Sequence, residues 1–177
     1  MEKISVPTRE NVSESNQILF DNLEKAVGFV PNMYAFFAHS PTALGDYLTL
    51  QNRKTSLSNK EKEIINLIVS QINGCNYCKS AHTVVGKMVG FTEEETIQIR
   101  KADITFNDKY NALVKFTKAV AENKGYISKE IKSNYFNAGY TTENLVDTIM
   151  MIGDKIITNY LFALVKVPID FPIAKSL

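Results

Sequence analysis

Residues 58–90 read SNKEKEIINLIVSQINGCNYCKSAHTVVGKMVG, and this stretch decides the fold. It opens with a serine followed three residues later by a glutamate, a capping box that predicts the start of a helix. The helix that follows is apolar almost all round, so we expect it to lie at the centre of the molecule. Gly74 is expected to end it, and a second helix should then run from Cys75 to about Val89 and stop at Gly90.

Helix signals of the same kind lie on both sides of this stretch. Ser40 before Pro41 predicts a cap followed by a proline at the first helical position. Residues 29–32 are expected to be a break, and Pro168 and Pro172 predict a non-helical tail. Further helix starts are predicted at Ser13, Thr92, Asn107, Ser128 and Thr142.

Strand signals are scarce in this chain. It has no convincing alternation of apolar and polar residues and no Asn-Gly hairpin turn. We therefore predict an all-α fold, a single-domain helical bundle over residues 1–177 with about seven or eight helices. The core is expected over about residues 40–167, with an N-terminal helical extension over about residues 13–38.

The composition excludes several classes of protein. With 177 residues, 45% of them hydrophobic, the chain is long enough and apolar enough to bury a core. Its 20 lysines and arginines nearly balance its 19 aspartates and glutamates, and no basic block points to nucleic acid or to an anionic membrane surface. The polar start of the chain lacks the apolar stretch of a secretory signal, so we expect a cytoplasmic protein.

The apolar residues 145–167 require a test for a membrane span. Charges in the middle of a span are costly in lipid, and this segment carries Asp147, Asp154 and Lys155. We therefore predict a buried helix of a soluble protein and no membrane insertion.

The only two cysteines, Cys75 and Cys78, are three residues apart, and His82 follows one helical turn later. A helix advances about 100° per residue, so the three side chains are expected near one face. The free N–H groups at a helix start favour a thiolate over a thiol, which points to Cys75. His82 could accept the proton of Cys78 if a carboxylate from a neighbouring helix oriented its ring. The set is suited to reversible thiol–disulfide chemistry.

Other interpretations of these residues stay open. The cysteine pair could be incidental, or Cys75, Cys78 and His82 could be three ligands of a zinc ion. The chain could also be a redox-sensing or interaction module whose disulfide switches assembly without turnover. Glu63 alone would be interpreted as a solvated residue of a capped helix, and His39 as a structural residue. Nothing in the composition requires a heme, flavin or nucleotide cofactor.

The spacing of four residues resembles the signature of the alkylhydroperoxidase D and carboxymuconolactone decarboxylase superfamily. That signature is a glutamate, a cysteine twelve positions later, a second cysteine three further on and a histidine four beyond it. In this chain those positions are Glu63, Cys75, Cys78 and His82. Upstream, Gly-Phe-Val-Pro-Asn at residues 28–32 and His-Ser-Pro at residues 39–41 resemble the peroxidase-related subgroup.

The resemblance implies an all-α fold of the alkylhydroperoxidase D-like type, trimers or hexamers, and a peroxidase cycle. In that cycle Cys78 attacks the hydroperoxide and becomes a sulfenic acid, and Cys75 resolves it to a disulfide. Glu63 and His82 form the proton relay, which deprotonates the thiol through Cys75. The disulfide is then reduced by an external dithiol, such as a lipoyl or thioredoxin-like partner.

Two features of the chain are in tension with the family pattern. The well-studied branch carries a histidine where this chain has Tyr77, whose high pKa prevents the same proton role near neutral pH. Tyr77 is expected to support the site by packing or by donating a hydrogen bond. The helix-start argument favours a thiolate at Cys75, whereas the family assigns the attack to Cys78, and we follow the family. Because the decarboxylase branch generally lacks the cysteine pair, we predict a hydroperoxide reductase and not a lactone decarboxylase.

Overall fold

The computed structural model describes residues 4–177, which form helices and connecting segments with no strand. The all-α prediction is confirmed. The described part of the chain holds nine α-helices, slightly more than predicted, and a 3₁₀ turn at Arg9–Asn11. The helices are α1 (Glu14–Val27), α2 (Asn32–Phe37), α3 (Ala43–Gln51), α4 (Asn59–Ile72), α5 (Asn76–Met88), α6 (Glu93–Lys101), α7 (Asp108–Glu122), α8 (Lys129–Asn137) and α9 (Thr142–Val165).

Side chains cap the helices where the sequence predicts helix starts. The Ser58 hydroxyl accepts the N–H of Glu61 at 3.3 Å, and the Glu61 carboxylate accepts the N–H of Ser58 at 2.8 Å, so the capping box before α4 is complete. A second box, Thr92 with Glu95, opens α6. The caps of α1, α7 and α8 are Ser13, Asn107 and Ser128.

Two helix boundaries in the N-terminal part differ from the prediction. The segment 29–32, predicted as a break, already contains the first residue of α2, which follows Pro31. Pro41 does not begin a helix, because the turns that close the end of α2 extend to Ser40 and α3 starts only at Ala43. Both differences arise because the short α2 and its closing turn occupy chain that the sequence pattern left unassigned.

The chain divides into two compact units. The first holds the described residues up to Arg53 together with Leu161–Asp170, and the second holds Lys54–Tyr160 together with Phe171–Leu177. The buried apolar cluster of the first unit consists of Phe20, Leu23, Ala35, Ala38 and Leu44. The single domain with a core over residues 40–167 and an extension over residues 13–38 stays a prediction.

Helix α4 is the central helix of the second unit, and it packs against α5, α6 and α7. Its apolar residues cover most of its circumference, which buries it on nearly all sides. The most buried are Ile64, Ile65, Leu67, Ile68 and Val69, none of them more than 1% exposed. Helix α4 is therefore a fixed support for the polar side chains that it carries.

Helix α9 is long and apolar enough, by length and composition alone, to cross a membrane. Its charged residues Asp147, Asp154 and Lys155 are buried by protein, with no more than 8% of any of them exposed. Asp147 accepts the backbone N–H and the hydroxyl of Ser56 at 2.6 and 2.7 Å. A buried carboxylate that accepts two hydrogen bonds in this way is typical of a helix packed against protein. Beyond Val165 the tail is non-helical, as predicted.

Candidate active site

The two cysteines form a disulfide at the start of α5, with their Cα atoms 5.3 Å apart. The sequence predicts Cys75 inside the first turn, but the structure places it at the cap position, where its sulfur accepts the N–H of Cys78 at 3.1 Å. The reason is Gly74, whose φ of +65° turns the chain between α4 and α5. A sulfur at a helix cap faces free N–H groups, which stabilise a thiolate once the disulfide is reduced.

Glu63 and His82 form a pair between α4 and α5. Oε2 of Glu63 lies 2.7 Å from Nδ1 of His82, and Oε1 of Glu63 accepts the side-chain amide of Asn66 at 2.9 Å. Because an ionised carboxylate only accepts hydrogen bonds, Nδ1 of His82 carries a proton. Nε2 is then the ring nitrogen that can accept a proton from another group.

The surroundings of Glu63 keep its carboxyl ionised. Burial, the largest effect, acts to raise the pKa of this side chain, since Glu63 is only 6% exposed. The charge and hydrogen bond of His82, the amide of Asn66 and the charge of Lys155 act in the opposite direction and outweigh burial. The pKa of Glu63 therefore lies below its ordinary value, and the carboxylate holds His82 in one orientation and one tautomer.

Tyr77 lies on a different side of α5 and contacts the C-terminal tail. Its ring meets the ring of Phe171 edge-on, with the ring centroids 5.6 Å apart. One turn later along the helix, the hydroxyl of Ser80 accepts the backbone N–H of Ala174 at 3.1 Å. Tyr77 packs in the interior, at 4% exposure, and helps to anchor the tail to the helix that begins with the cysteine pair.

Polar residues of α4, its C-terminal cap and α9 act on Glu63 or join the two helices, and sequence reasoning missed their role. Asn73 donates to Asn159 at 3.0 Å, and Asn159 donates to the Ser70 hydroxyl at 3.4 Å. A signal for them exists, because polar residues recur every three or four positions within helices that are otherwise apolar. The residues missed are Asn66, Ser70 and Asn73 at α4 and Lys155 and Asn159 on α9.

His39 makes its contacts within the first unit. Its Nε2 lies 2.9 Å from the carbonyl oxygen of Ser5, and its ring packs edge-on against Phe36. These contacts fit the structural role that the sequence predicts for it.

The zinc interpretation requires a group of side chains that could bind one metal ion. Within residues 4–177, no three His, Cys, Asp or Glu side chains are grouped in that way. Cys75 and Cys78 are bonded to each other, and His82 is paired with Glu63. In this oxidised form the described residues therefore offer no preformed zinc ligand set.

A family match covers the helices that carry the site. The sequence model of the Carboxymuconolactone decarboxylase family matches residues 37–122, which include Glu63, both cysteines and His82. The match spans just under half of the chain and confirms the resemblance to the alkylhydroperoxidase D and carboxymuconolactone decarboxylase superfamily that is seen in the sequence. No curated protein sequence matches the chain.

Solved structures share the superfamily fold over nearly the whole chain. An uncharacterized peroxidase-related protein from Ralstonia eutropha JMP134, named as an alkylhydroperoxidase AhpD core, has a TM-score of 0.86 at 17% identity and covers 95% of this chain and 92% of its own. An uncharacterized peroxidase-related protein from Silicibacter sp. TM1040 has a TM-score of 0.80 at 18% identity, covering 93% and 90%. A debrominase solved with 2,3,4-tribromopyrrole has a TM-score of 0.76 at 18% identity, covering 96% and 93%. At these identities the likeness establishes the fold alone.

Proposed function

We propose that this protein is a thiol-dependent hydroperoxide reductase. The observation that supports this most directly is that the Cys75–Cys78 pair begins the same helix that carries His82, while Glu63 orients that histidine at 2.7 Å. The arrangement combines a thiol at a helix start, a second thiol to resolve it and an oriented base. These are the parts that a thiol peroxidase uses.

The cycle begins when the thiolate of Cys78 attacks one oxygen of the hydroperoxide. The O–O bond breaks, the sulfur becomes a sulfenic acid, and the other oxygen leaves as an alkoxide that takes up a proton to form an alcohol. The sulfur of Cys75 then attacks the sulfur of Cys78. The S–O bond breaks, the hydroxyl leaves with the thiol proton as water, and the Cys75–Cys78 disulfide forms.

His82 and Glu63 move the protons of this cycle. Nε2 of His82 takes a thiol proton, and the Glu63 carboxylate stabilises the imidazolium that results. In this proposal Cys75 passes the proton between the base and the thiol of Cys78, to whose sulfur it is bonded in the oxidised form. The imidazolium can return its proton to the leaving alkoxide, so the relay ends the step in its starting state.

The disulfide must be reduced by an external dithiol, for which we propose a lipoyl or thioredoxin-like partner in the cytoplasm. Two thiol–disulfide exchanges transfer the oxidation to that partner and regenerate both thiols. If a small dithiol supports turnover but lipoyl and thioredoxin-like proteins do not, the proposed partner is wrong. The proposed peroxidase cycle would still stand.

We also propose that copies of the chain assemble as a trimer or hexamer. Helix α9 exposes apolar residues at helical spacing, a pattern found at contact surfaces. These residues are Val146, Ile149, Met150, Ile157 and Tyr160, each at least 40% exposed. Sedimentation velocity tests the assembly, and a monomer at micromolar concentration would contradict it.

The test of the proposed reaction is the intact mass and free-thiol count of reduced, metal-free protein before and after one equivalent of hydroperoxide. We expect the unmodified protein to lose two hydrogen atoms and both free thiols. Cys78→Ser should keep its mass and its single thiol, whereas Cys75→Ser should gain oxygen at Cys78 and lose no hydrogen pair. If the thiols of the unmodified protein survive the peroxide, the peroxidase proposal is wrong.

The burial of the cysteines favours one second candidate, a redox-sensing module whose disulfide switches assembly. Cys75 and Cys78 are only 2% and 3% exposed, so a protein dithiol reaches them only if the surrounding residues move. A module of this kind would oxidise once and show no multiple turnover with any dithiol. Repeated turnover with a dithiol separates the reductase from the switch.

A further inference from the structure

Helix α9 buries two adjacent and opposite charges, Asp154 and Lys155, which are 3% and 2% exposed. Burying ionised side chains is costly unless their partners compensate them well. Both carboxylate oxygens of Asp154 lack a hydrogen-bond partner among the described residues, so this carboxylate compensates its neighbour only through space. On its own helix Lys155 is therefore compensated only by the charge of Asp154, and its amine can also act on a second charge.

The hydrogen bonds between α4 and α9 show which charge that is. Asp147 meets Ser56 just before α4, and Asn159 meets Ser70 near the end of α4, so the two helices run in the same direction. Lys155 precedes Asn159 by one turn and therefore shares its face of α9. Long side chains on helices lean toward the N-terminus, which directs the Lys155 amine along α4 toward its earlier turns.

Glu63 is the charged residue in those earlier turns that faces the same way. It precedes Ser70 by seven residues, two helical turns, and is 6% exposed. The charge of Lys155 lowers the pKa of Glu63, after the larger effects of His82 and Asn66. In return the charge of Glu63, after that of Asp154, opposes the lowering of the Lys155 pKa by burial. The titratable groups that act electrostatically on this pair are His82 from α5 and Asp154 from α9 itself.

We propose that Lys155 is a positioning residue of the thiol site, which keeps Glu63 ionised and thereby fixes His82 as the base. Lys155 acts through Glu63. The inference rests on the proposed function, since it assigns Lys155 to the proton relay of the cysteine pair. It also adds a residue from α9 to a site that the sequence places on α4 and α5 alone.

The sign of the effect follows from the charge. Removing a buried cation raises the proton affinity of every titratable group around it, so the reduced thiols should lose their protons at higher pH in Lys155→Met. Asp154→Asn removes an anion from the same place and should shift thiol ionisation to lower pH. Lys155→Arg keeps the charge and should behave like the unmodified protein.

The experiment is the rate of alkylation of the reduced cysteines by iodoacetamide, followed by intact mass as a function of pH. This reagent is neutral and reacts with the thiolate, so the midpoint of the profile reports thiol ionisation. We expect the midpoint of Lys155→Met to rise by about one pH unit, a tenfold change in proton affinity. We expect the midpoint of Asp154→Asn to fall, and that of Lys155→Arg to match the unmodified protein.

Lys132→Met is the matched control, because it removes the same charge from an exposed position on α8 and should leave the midpoint unchanged. Equal midpoints in all variants, or shifts of the same sign for Lys155→Met and Asp154→Asn, would overturn the proposal. If Lys155→Met does not fold, the other two variants still test the proposal. It then requires a lower midpoint in Asp154→Asn and an unchanged midpoint in Lys155→Arg.

The alkylation assay contains no peroxide, so its result is independent of turnover. Suppose that the protein does not reduce hydroperoxides but that the midpoint rises in Lys155→Met and falls in Asp154→Asn. The role of Lys155 as a positioning residue would then stand, and the proposed reaction would be wrong. A protein that turns over peroxide without these shifts would retain the reaction and lose the role of Lys155.

Discussion

The two sides of α5 differ in what they do, although they belong to one helix of 13 residues. One side, with the cysteine pair at its start, carries His82, which meets Glu63 of α4 at 2.7 Å. The other side carries Tyr77 and Ser80, which contact the C-terminal tail through a ring contact and one hydrogen bond. We call the first the chemical side and the second the anchoring side.

The difference teaches that burial alone does not identify a functional residue here. Tyr77 and Cys78 are adjacent in the chain and almost equally buried, at 4% and 3% exposure. What separates them is the partner, because Cys78 is bonded to a second sulfur whereas Tyr77 meets an aromatic ring of the tail. Substitutions on the chemical side should therefore change rates, and substitutions on the anchoring side should change stability.

The largest effect is expected from the cysteines. Cys78→Ser should reduce peroxide turnover to the background rate, because no sulfur remains to attack the O–O bond. Cys75→Ser keeps a hydroxyl that can cap α5 but removes the resolving thiol, so the sulfenic acid of Cys78 should oxidise further and gain a second oxygen atom. Peroxide consumption and intact mass measure the two outcomes. Turnover retained in Cys78→Ser would refute the role of the chemical side.

The next effect is expected from the relay. His82→Ala and Glu63→Gln should each lower the rate of peroxide reduction by about 10²- to 10⁴-fold, the usual loss when a general base is removed, while the circular dichroism spectrum stays helical. Ser80→Ala is the control on the anchoring side of the same helix. It should keep the rate and lose about 1 kcal/mol of unfolding free energy with its hydrogen bond. If Ser80→Ala lost as much rate as His82→Ala and Glu63→Gln, the two sides of α5 would not differ in function.

The lowered pKa of Glu63 predicts how stability depends on pH. A carboxyl with a lower pKa in the folded state stabilises the fold fully above its ordinary pKa of about 4.3, and this contribution is lost as the pH falls through the lower folded-state value. The difference in unfolding free energy between the unmodified protein and Glu63→Gln should therefore shrink as the pH falls below about 4.3. Urea unfolding from pH 7 to pH 3 measures it. A difference that is constant over this range would show that the Glu63 charge does not contribute.

The smallest effect is expected from the tail. Phe171→Ala should cost about 1 kcal/mol of unfolding free energy, because the edge-on contact with Tyr77 is lost, and should leave peroxide turnover unchanged. Ile173→Ala is the matched control, since it shortens an apolar residue of the same tail that is 70% exposed. A large fall in turnover with Phe171→Ala would mean that the anchoring side also shapes the chemistry.

Much of the fold was predictable because helix starts are encoded locally. The boxes at Ser58 and Thr92 each need only a residue three positions further on, and both are found as predicted. Helix boundaries that depend on contacts between residues far apart in the sequence were not predictable. The turn that displaces the start of α3 past Pro41 depends on how α2 closes, and α2 itself has only six residues with a weak pattern.

The candidate site divides in the same way between local and distant contacts. Cys75, Cys78 and His82 could be grouped from spacing, because all three lie within one helix and its cap. Glu63 entered through its place in the family signature, since a glutamate in a capped helix is ordinarily solvated. Lys155 had no local signal toward the site, because it is 92 positions from Glu63 in the sequence and its electrostatic effect on Glu63 arises only in the folded chain.

The sequence by itself determined that the chain is helical, where most helices begin, and which residues of α5 and its cap are the candidates for thiol chemistry. These properties depend on contacts within a few residues, which the order of amino acids sets directly. Only the tertiary structure decided that Cys75 caps the helix, that Glu63 orients His82 and that Lys155 is buried on the neighbouring face of α9. The last two of these properties join residues up to 92 positions apart, and they depend on helix packing, in which the burial of apolar surface offsets the cost of burying the charges.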